Sequence, residues 1–298
     1  MRTEPRTASA AVSGGAAWVL AAAVLWGTTG TAQALAPTGA SPLAVAAMRL
    51  AIGGAALFAL AAWRGSFRAV VWRHPAALLA GASIALYQVA FFSGLLRTGV
   101  AVGTLIAIGS SPVVAGALEM LVARRRPTLA WLAATAVAVG GCALLLMGDG
   151  TWRVDAGGVL LALLAGASFA LYTVAGKSLL RTVSADVAVP SIFVAGALLL
   201  APLLFTTRLN WLANPRGLAV ALHLGLIATA AAHGLYMRGL TTVSAAAGAT
   251  LTLAEPLTAA LLSVVVLGER LTAAAWLGAA LVLAALAVLA RTAAVAER

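Results

Sequence analysis

Residues 86–146 read LYQVAFFSGLLRTGVAVGTLIAIGSSPVVAGALEMLVARRRPTLAWLAATAVAVGGCALLL, and residues 232–290 read AHGLYMRGLTTVSAAAGATLTLAEPLTAALLSVVVLGERLTAAAWLGAALVLAALAVLA. The second stretch repeats the first. Pro112 matches Pro256 at an offset of 144 residues; Gly94-Leu95, Gly103 and Trp131 match Gly239-Leu240, Gly248 and Trp276 at 145, so short indels lie between them. An internal repeat among apolar runs of membrane length is the sequence trace of a transporter built from two related halves.

Composition points the same way. The chain of 298 residues is 63% hydrophobic and 9% charged, with a mean hydropathy of +1.05; a soluble domain carries roughly 25% charged residues. A water-soluble fold of this length could not hide so much apolar surface, so the solvent is lipid. The net charge of +11 would suggest nucleic acid in a soluble protein, but here it orients the chain in the bilayer and no nucleic-acid partner is expected. Cys142 is the single cysteine, which excludes an intramolecular disulfide. His74, His223 and His233 are scattered, without metal-site spacing, and no Gly-rich nucleotide loop is present. No metal and no cofactor is expected. An intramembrane enzyme would need a nucleophile with its base, or a metal cluster, and no His/Asp/Glu grouping is dense enough. A receptor or scaffold would need more loop surface than these short connections offer.

Runs of about 20 apolar residues cross a bilayer as helices, since hydrocarbon tolerates no unpaired backbone. Such windows predict helices near 16–36, 43–62, 76–96, 100–123, 129–147, 157–176, 187–206, 217–237, 243–267 and 272–290. The shortest connection, Arg97–Gly99, divides a run too long for one span. With the N-terminus inside, the inner segments hold Arg2, Arg6, Arg64, Arg68, Arg73, Arg124, Arg125, Arg126, Lys177, Arg181, Arg238, Arg291 and Arg298, against Arg97, Arg153, Arg208, Arg216 and Arg270 outside. The positive-inside rule therefore puts both termini in the cytoplasm. Five helices per half is an odd number, so the second half enters the membrane inverted. The expected organisation is a cytoplasmic tail 1–15, a five-helix repeat 16–147, a second repeat 157–291 and a cytoplasmic tail 292–298. Residues 1–36, with Arg2, Arg6 and Ala34-Leu35-Ala36, also imitate a cleaved secretory signal. Cleavage would leave nine helices and unpair the halves, and Pro37 disfavours it, so the segment is read as the first span.

The five-plus-five pattern, the proline midway along helices four and nine, Trp26-Gly27, Arg49-Leu50 and the turn Gly268-Glu269-Arg270-Leu271-Thr272 together resemble the EamA-type transporters of the drug/metabolite transporter superfamily. The resemblance covers roughly residues 16–290. It departs from the family pattern at Arg124-Arg125-Arg126-Pro127, where a Gly-Glu turn would be expected. It implies a secondary carrier in the cell membrane that moves small metabolites, often outward, by alternating access through a cavity between the halves. It also implies that helices one, three, four, six, eight and nine surround that cavity while five and ten lie at the periphery.

Candidate site residues come from polar groups at membrane depth. Pro112 and Pro256 lack an N–H, free the carbonyls near Ile108 and Thr252, and are expected to kink their helices as hinges. Glu255 lies midway along helix nine, where a carboxylate costs about 2.5–3.5 kcal/mol on insertion scales. It is read either as an ammonium ligand and proton-coupling site or as a structural cap; Ser110 and Ser111 stand at that place in the first half. Glu119 is expected to pair with Arg124–Arg126, and Arg49 to be structurally paired. Helical spacing puts Trp26, Thr29 and Gln33 on one face of helix one, Tyr87 with Phe91 and Gln88 with Phe92 on helix three, Ser168 with Tyr172 on helix six, and His233 with Tyr236 on helix eight. The candidate substrate-binding set is thus Trp26, Gln33, Tyr87, Gln88, Ser110, Ser111, Tyr172, His233, Tyr236 and Glu255. Aromatic surface with one acid suggests amino acids, amines or aromatic metabolites. Small residues on helices five and ten allow close packing within a monomer or across a homodimer.

Overall fold

A computed structural model describes residues 14–37, 39–66, 68, 71, 73–124, 127–146, 155–268 and 270–296. Among the described residues, ten helices are long and apolar enough to cross a membrane. They are α1 (Gly14–Ala34), α2 (Pro42–Trp63), α3 (Pro75–Thr98), α4 (Val100–Ala123) and α5 (Leu129–Leu146), followed by α6 (Ala156–Leu179), α7 (Ala185–Thr206) and α8 (Pro215–Leu240). Next comes α9 in two pieces, α9a (Ala245–Leu251) and α9b (Ala254–Leu267), then α10 (Ala273–Ala296). Arg2, Arg6, Arg125, Arg126, Arg153, Glu269 and Arg298, which enter the charge-bias and turn arguments, lie outside the described residues.

The helices start where local chemistry stops the preceding loop. The Ser41 hydroxyl accepts from Ala44 N ahead of Pro42, and His74 Nδ1 accepts from Ala76 N ahead of Pro75. Asp155, Asn214 and Ser244 cap α6, α8 and α9a in the same way. Each cap satisfies a backbone donor that the helix itself leaves free, and proline fits the first turn because its N–H is not needed there. Gly99, at φ 82°, is the single residue between α3 and α4, a left-handed turn that glycine makes without steric cost. The helices α4 and α9b also end alike, with Arg124 at φ 53° and Gly268 at φ 72°. The arginine run that departs from the glycine turn therefore keeps its left-handed cap.

Packing obeys the inverted repeat. Helices α2 and α7, α5 and α10, and α4 and α9a meet their own counterparts across the pseudo-two-fold axis. The contacts of α1 with α8 and α9 match those of α6 with α3 and α4. Glycine at equivalent places permits these approaches. A Cβ on Gly239 would lie 2.6 Å from the Gly15 carbonyl oxygen, and one on Gly94, its repeat partner, 3.3 Å from that of Gly158. With lipid equally apolar on all sides, close backbone approach and dispersion hold such helices together. The chain is thus an all-α integral membrane protein of two inverted five-helix repeats.

The two prolines behave differently. Helix α4 runs unbroken through Pro112, because the Ser111 hydroxyl donates to the freed Ile108 carbonyl at 3.0 Å. In α9 the Thr252 carbonyl is taken by the Glu255 N–H at 2.9 Å, a tight turn that parts α9a from α9b. Helix α9 is thus divided beside Pro256, while α4 is continuous through Pro112.

Candidate functional site

The N-terminal end of α1 and the C-terminal end of α10 lie on one face of the bundle, here the terminal face, and the C-terminal end of α1 lies on the opposite, far face. Around the centre, α1, α3, α6, α7 and α8 bring their aromatic residues together. Trp26 packs against Phe169, His233 and Tyr236 with ring centres 5.8, 4.7 and 5.3 Å apart. Tyr87 stacks on Phe91 and meets Phe169 at 5.5 Å, and Phe193 meets His233 at 4.5 Å. Two hydrogen bonds tie α6 to α8 within this cluster. Tyr172 Oη and His233 Nδ1 are 3.0 Å apart, and Thr173 Oγ1 and Tyr236 Oη are 2.9 Å apart. Tyr172 and Tyr236 are completely buried. Buried hydroxyls that find partners hold their rings in fixed orientation.

The charged part of the site adjoins this cluster. Arg49 of α2 is 6% exposed; its Nε donates to Thr229 Oγ1 at 3.1 Å and its Nη2 to the Ala228 carbonyl at 3.2 Å. Both acceptors belong to a π-helical stretch of α8, His223–Ala231. Such wide turns are often found at functional sites. Arg49 is thus paired as expected, but to a backbone carbonyl and a hydroxyl instead of a carboxylate. Glu255 occupies the first turn of α9b and is half-buried. It forms no ion pair with Arg49.

Other expected residues fall elsewhere. Gln33 is in the last turn of α1, seven residues and so about 10 Å along the helix from Trp26. Ser110 and Ser111 bond to carbonyls of their own helix, at Ala107 and Ile108. Gln88 is buried with neither amide atom hydrogen-bonded. Glu119 accepts from Ala246 N at 2.8 Å, at the N-terminus of α9a; of the arginines expected to pair with it, Arg125 and Arg126 lie outside the described residues. Sequence reading passed over Phe169, Phe193, Thr173 and Thr229. The first and third were detectable, because Phe169 and Thr173 share the α6 face that carries Tyr172; the other two acquire meaning only from packing.

The bundle is tied together most firmly at the terminal face, where a hollow of about 230 Å³ lined by Leu57, Arg64, Asp186 and Arg238 among others remains. Residues 15–27 of α1 include all its buried positions, and in α9 residues 245–254 are nearly all buried while 258–266 are not. On the terminal face, Lys177 Nζ donates to the Leu240 and Val243 carbonyls at 2.7 Å each, and Asp186 accepts from Arg238 at 2.8 Å. On the far face a cleft of about 680 Å³ opens between α1, α8 and α9, lined by Thr28, Thr31, Arg216 and His223 among others. There Thr28 Oγ1 and His223 Nε2 are 2.8 Å apart.

Two inverted five-helix repeats packed around buried aromatics define a membrane carrier of the drug/metabolite type. The EamA-like transporter family model matches residues 13–147 and 156–291, and the chain belongs to this family. It is 48% identical over 273 residues to the uncharacterized transporter YwfM of Bacillus subtilis (strain 168), covering 91% of this chain and 92% of that one. A solved crystal structure superposes with a TM-score of 0.80 at 23% identity, covering 93% of this chain and 96% of the other; that likeness bears on the fold alone.

Proposed function

We propose that the protein is a secondary active carrier of the cell membrane that exports a small metabolite with amine or aromatic character. It works by alternating access, and both termini are cytoplasmic. The observation that carries this reading is Glu255, half-buried at the break in α9. A carboxylate at that depth is retained only if water, a proton or a partner offsets its desolvation. A helix broken beside it supplies backbone able to change conformation as the cavity changes sides. Tyr87, half-buried, with Trp26, Tyr172, Tyr236 and His233 packed in the same cluster, offers the apolar surface against which a ring or alkyl group would rest as that cluster opens. A cleft of about 680 Å³ on the far face against a hollow of about 230 Å³ on the terminal face suits one end state of such a cycle, open away from the cytoplasm.

The test is solute flux in proteoliposomes under an imposed pH gradient, with the recovered solute analysed chemically. A carrier returns it unchanged, whereas an enzyme would transform it. Glu255→Gln keeps shape and hydrogen-bonding capacity but cannot titrate. It is expected to insert and assemble normally, yet to lose transport or its pH dependence. Wild-type rate and pH profile in that variant would make Glu255 a structural cap.

A further inference from the structure

Toward the terminal face α2 and α8, packed together as far as the π-helical stretch, part over α7 and leave the hollow of about 230 Å³ between them. Its inner end is apolar, formed by Leu57 and Ala61 of α2, Val189 and Pro190 of α7, and Leu235 of α8. Its mouth is charged. Asp186 accepts from Arg238 at 2.8 Å and lies 3.8 Å from Arg64, and all three side chains are nearly half exposed. Two guanidinium groups beside one carboxylate leave a positive charge in excess and N–H donors to spare. The Ser66 hydroxyl, following α2, donates at 3.4 Å to the Asp186 carbonyl that Pro190 leaves free, so residues of both repeats build the mouth. Leu57 lies seven residues from Arg64, about 10 Å along its helix. Trp63, exposed beside Arg64, marks the level of the headgroups. Gly234 lines the same hollow one turn from Arg238, and a Cβ there would meet no atom within 4 Å. Glycine weakens a helix relative to alanine, and here no close helix approach requires it, in contrast to Gly239. What its missing side chain leaves is open space.

We propose that this hollow is a binding site for an anionic phospholipid, with the phosphate between Arg64 and Arg238 and one acyl chain lying along Leu57 and Leu235. The order of the lining is that of a lipid, charge at the headgroup level and hydrocarbon below it. Apolar walls hold water poorly, and Leu60, exposed at the edge of the hollow, opens it to the bilayer. Arginine suits the phosphate because its planar donors match a pair of phosphate oxygens, and basic pockets between membrane helices take anionic headgroups. The exposed ion pairs with Asp186 contribute little by themselves, so a phosphate can share the guanidinium donors without a large loss. A lipid seated there joins α2 of the first repeat to α7 and α8 of the second, and so favours the arrangement in which the terminal face is tied together. The site is separate from the central aromatic cluster and does not depend on which solute is carried.

Thermal unfolding of the purified full-length protein in detergent tests this with added phosphatidylglycerol, phosphatidylcholine of the same chains, and inorganic phosphate. Phosphatidylglycerol is expected to raise the melting temperature at about tenfold lower concentration than phosphatidylcholine, and phosphate to leave it unchanged. Arg64→Gln removes the excess charge, leaving Arg238 neutralised by Asp186, and is expected to abolish the preference. Arg291→Gln, near the end of α10 on the same face, is expected to retain it. Gly234→Leu keeps both arginines but fills the hollow, and is expected to need about tenfold more phosphatidylglycerol for the same shift. It carries the test by itself should Arg64→Gln fail to assemble. The proposal is overturned if phosphatidylcholine acts as well as phosphatidylglycerol, if the preference survives in Arg64→Gln, or if Gly234→Leu responds as the wild type does. A shift with inorganic phosphate alone would make the arginines a site for soluble anions. An equal loss of preference in Arg291→Gln would make the effect one of diffuse positive charge, and either result also overturns the lipid site.

Discussion

At the scale of single residues, the centre of this protein is governed by what each buried polar group has for a partner. Glu255 is half-buried beside the break in α9 and Arg49 is held by α8, with no ion pair between them, and transport is expected to depend on Glu255. The Glu255→Gln flux and pH profile described above is the direct measure. Tyr172 makes a different case, because its hydroxyl is the partner of His233 Nδ1 inside a fully packed aromatic cluster. Tyr172→Phe keeps the ring and its packing but leaves the imidazole nitrogen unpaired. An unsatisfied buried group costs about 1–3 kcal/mol, so a clear fall in melting temperature is expected. An unchanged melt would mean that water replaces the hydroxyl. His233 and Tyr236 were visible as neighbours on one helix face; the cross-helix pairs His233–Tyr172 and Tyr236–Thr173 were not, since they join residues more than sixty positions apart.

At the scale of elements, the repeats diverge where identical backbone meets different side chains. Pro112 and Pro256 leave equivalent carbonyls, yet only the first is satisfied by a serine hydroxyl, at Ser111, so α4 stays whole while α9 divides. The caps of α4 and α9b make the converse comparison. Arg124 adopts the left-handed conformation that Gly268 adopts without strain, at a cost of about 1–2 kcal/mol for a residue with a Cβ. Arg124→Gly is therefore expected to stabilise the protein by about 1 kcal/mol, read as a rise in melting temperature. The same change lowers the positive charge that orients the α4–α5 connection, so insertion topology is measured alongside. A destabilised Arg124→Gly protein would show that the arginine side chain has a partner worth more than the backbone strain.

At the scale of the whole molecule, stability and cycling are both problems of inverted symmetry. Helix pairs α1–α8 and α6–α3 are built alike but lie at opposite faces, so an arrangement that closes the terminal side has a counterpart that closes the far side. At the terminal face Lys177 and Asp186 tie α6 and α7 to α8, while at the far face Arg97 and Asp155, 3.9 Å apart, join α3 to α6. The inverted topology predicts that single cysteines at positions 126 and 153 label from opposite sides, the first cytoplasmic. Cys142 is buried and free and should contribute little background. Labelling of both from one side would refute the orientation.

The apolar runs, the odd number of spans per half and the matched prolines and glycines determined ten helices and an inverted repeat before any coordinates. Those properties follow from hydrocarbon refusing unpaired backbone, a constraint that acts on each segment by itself. The helix boundaries were legible to within a few residues, as was the aromatic set at Trp26, Tyr87, Tyr172, His233 and Tyr236. Partners were not. Glu119 was assigned to arginines near in sequence, but the N-terminus of α9a lies across the pseudo-two-fold axis and takes the carboxylate. Arg49 was expected to be structurally paired, but the π-helical carbonyl and hydroxyl that hold it exist only once α2 and α8 are packed. Tertiary structure decided these because a hydrogen bond in hydrocarbon is chosen by which helix face comes within 3 Å, and spacing along one helix carries no information about its neighbour's register.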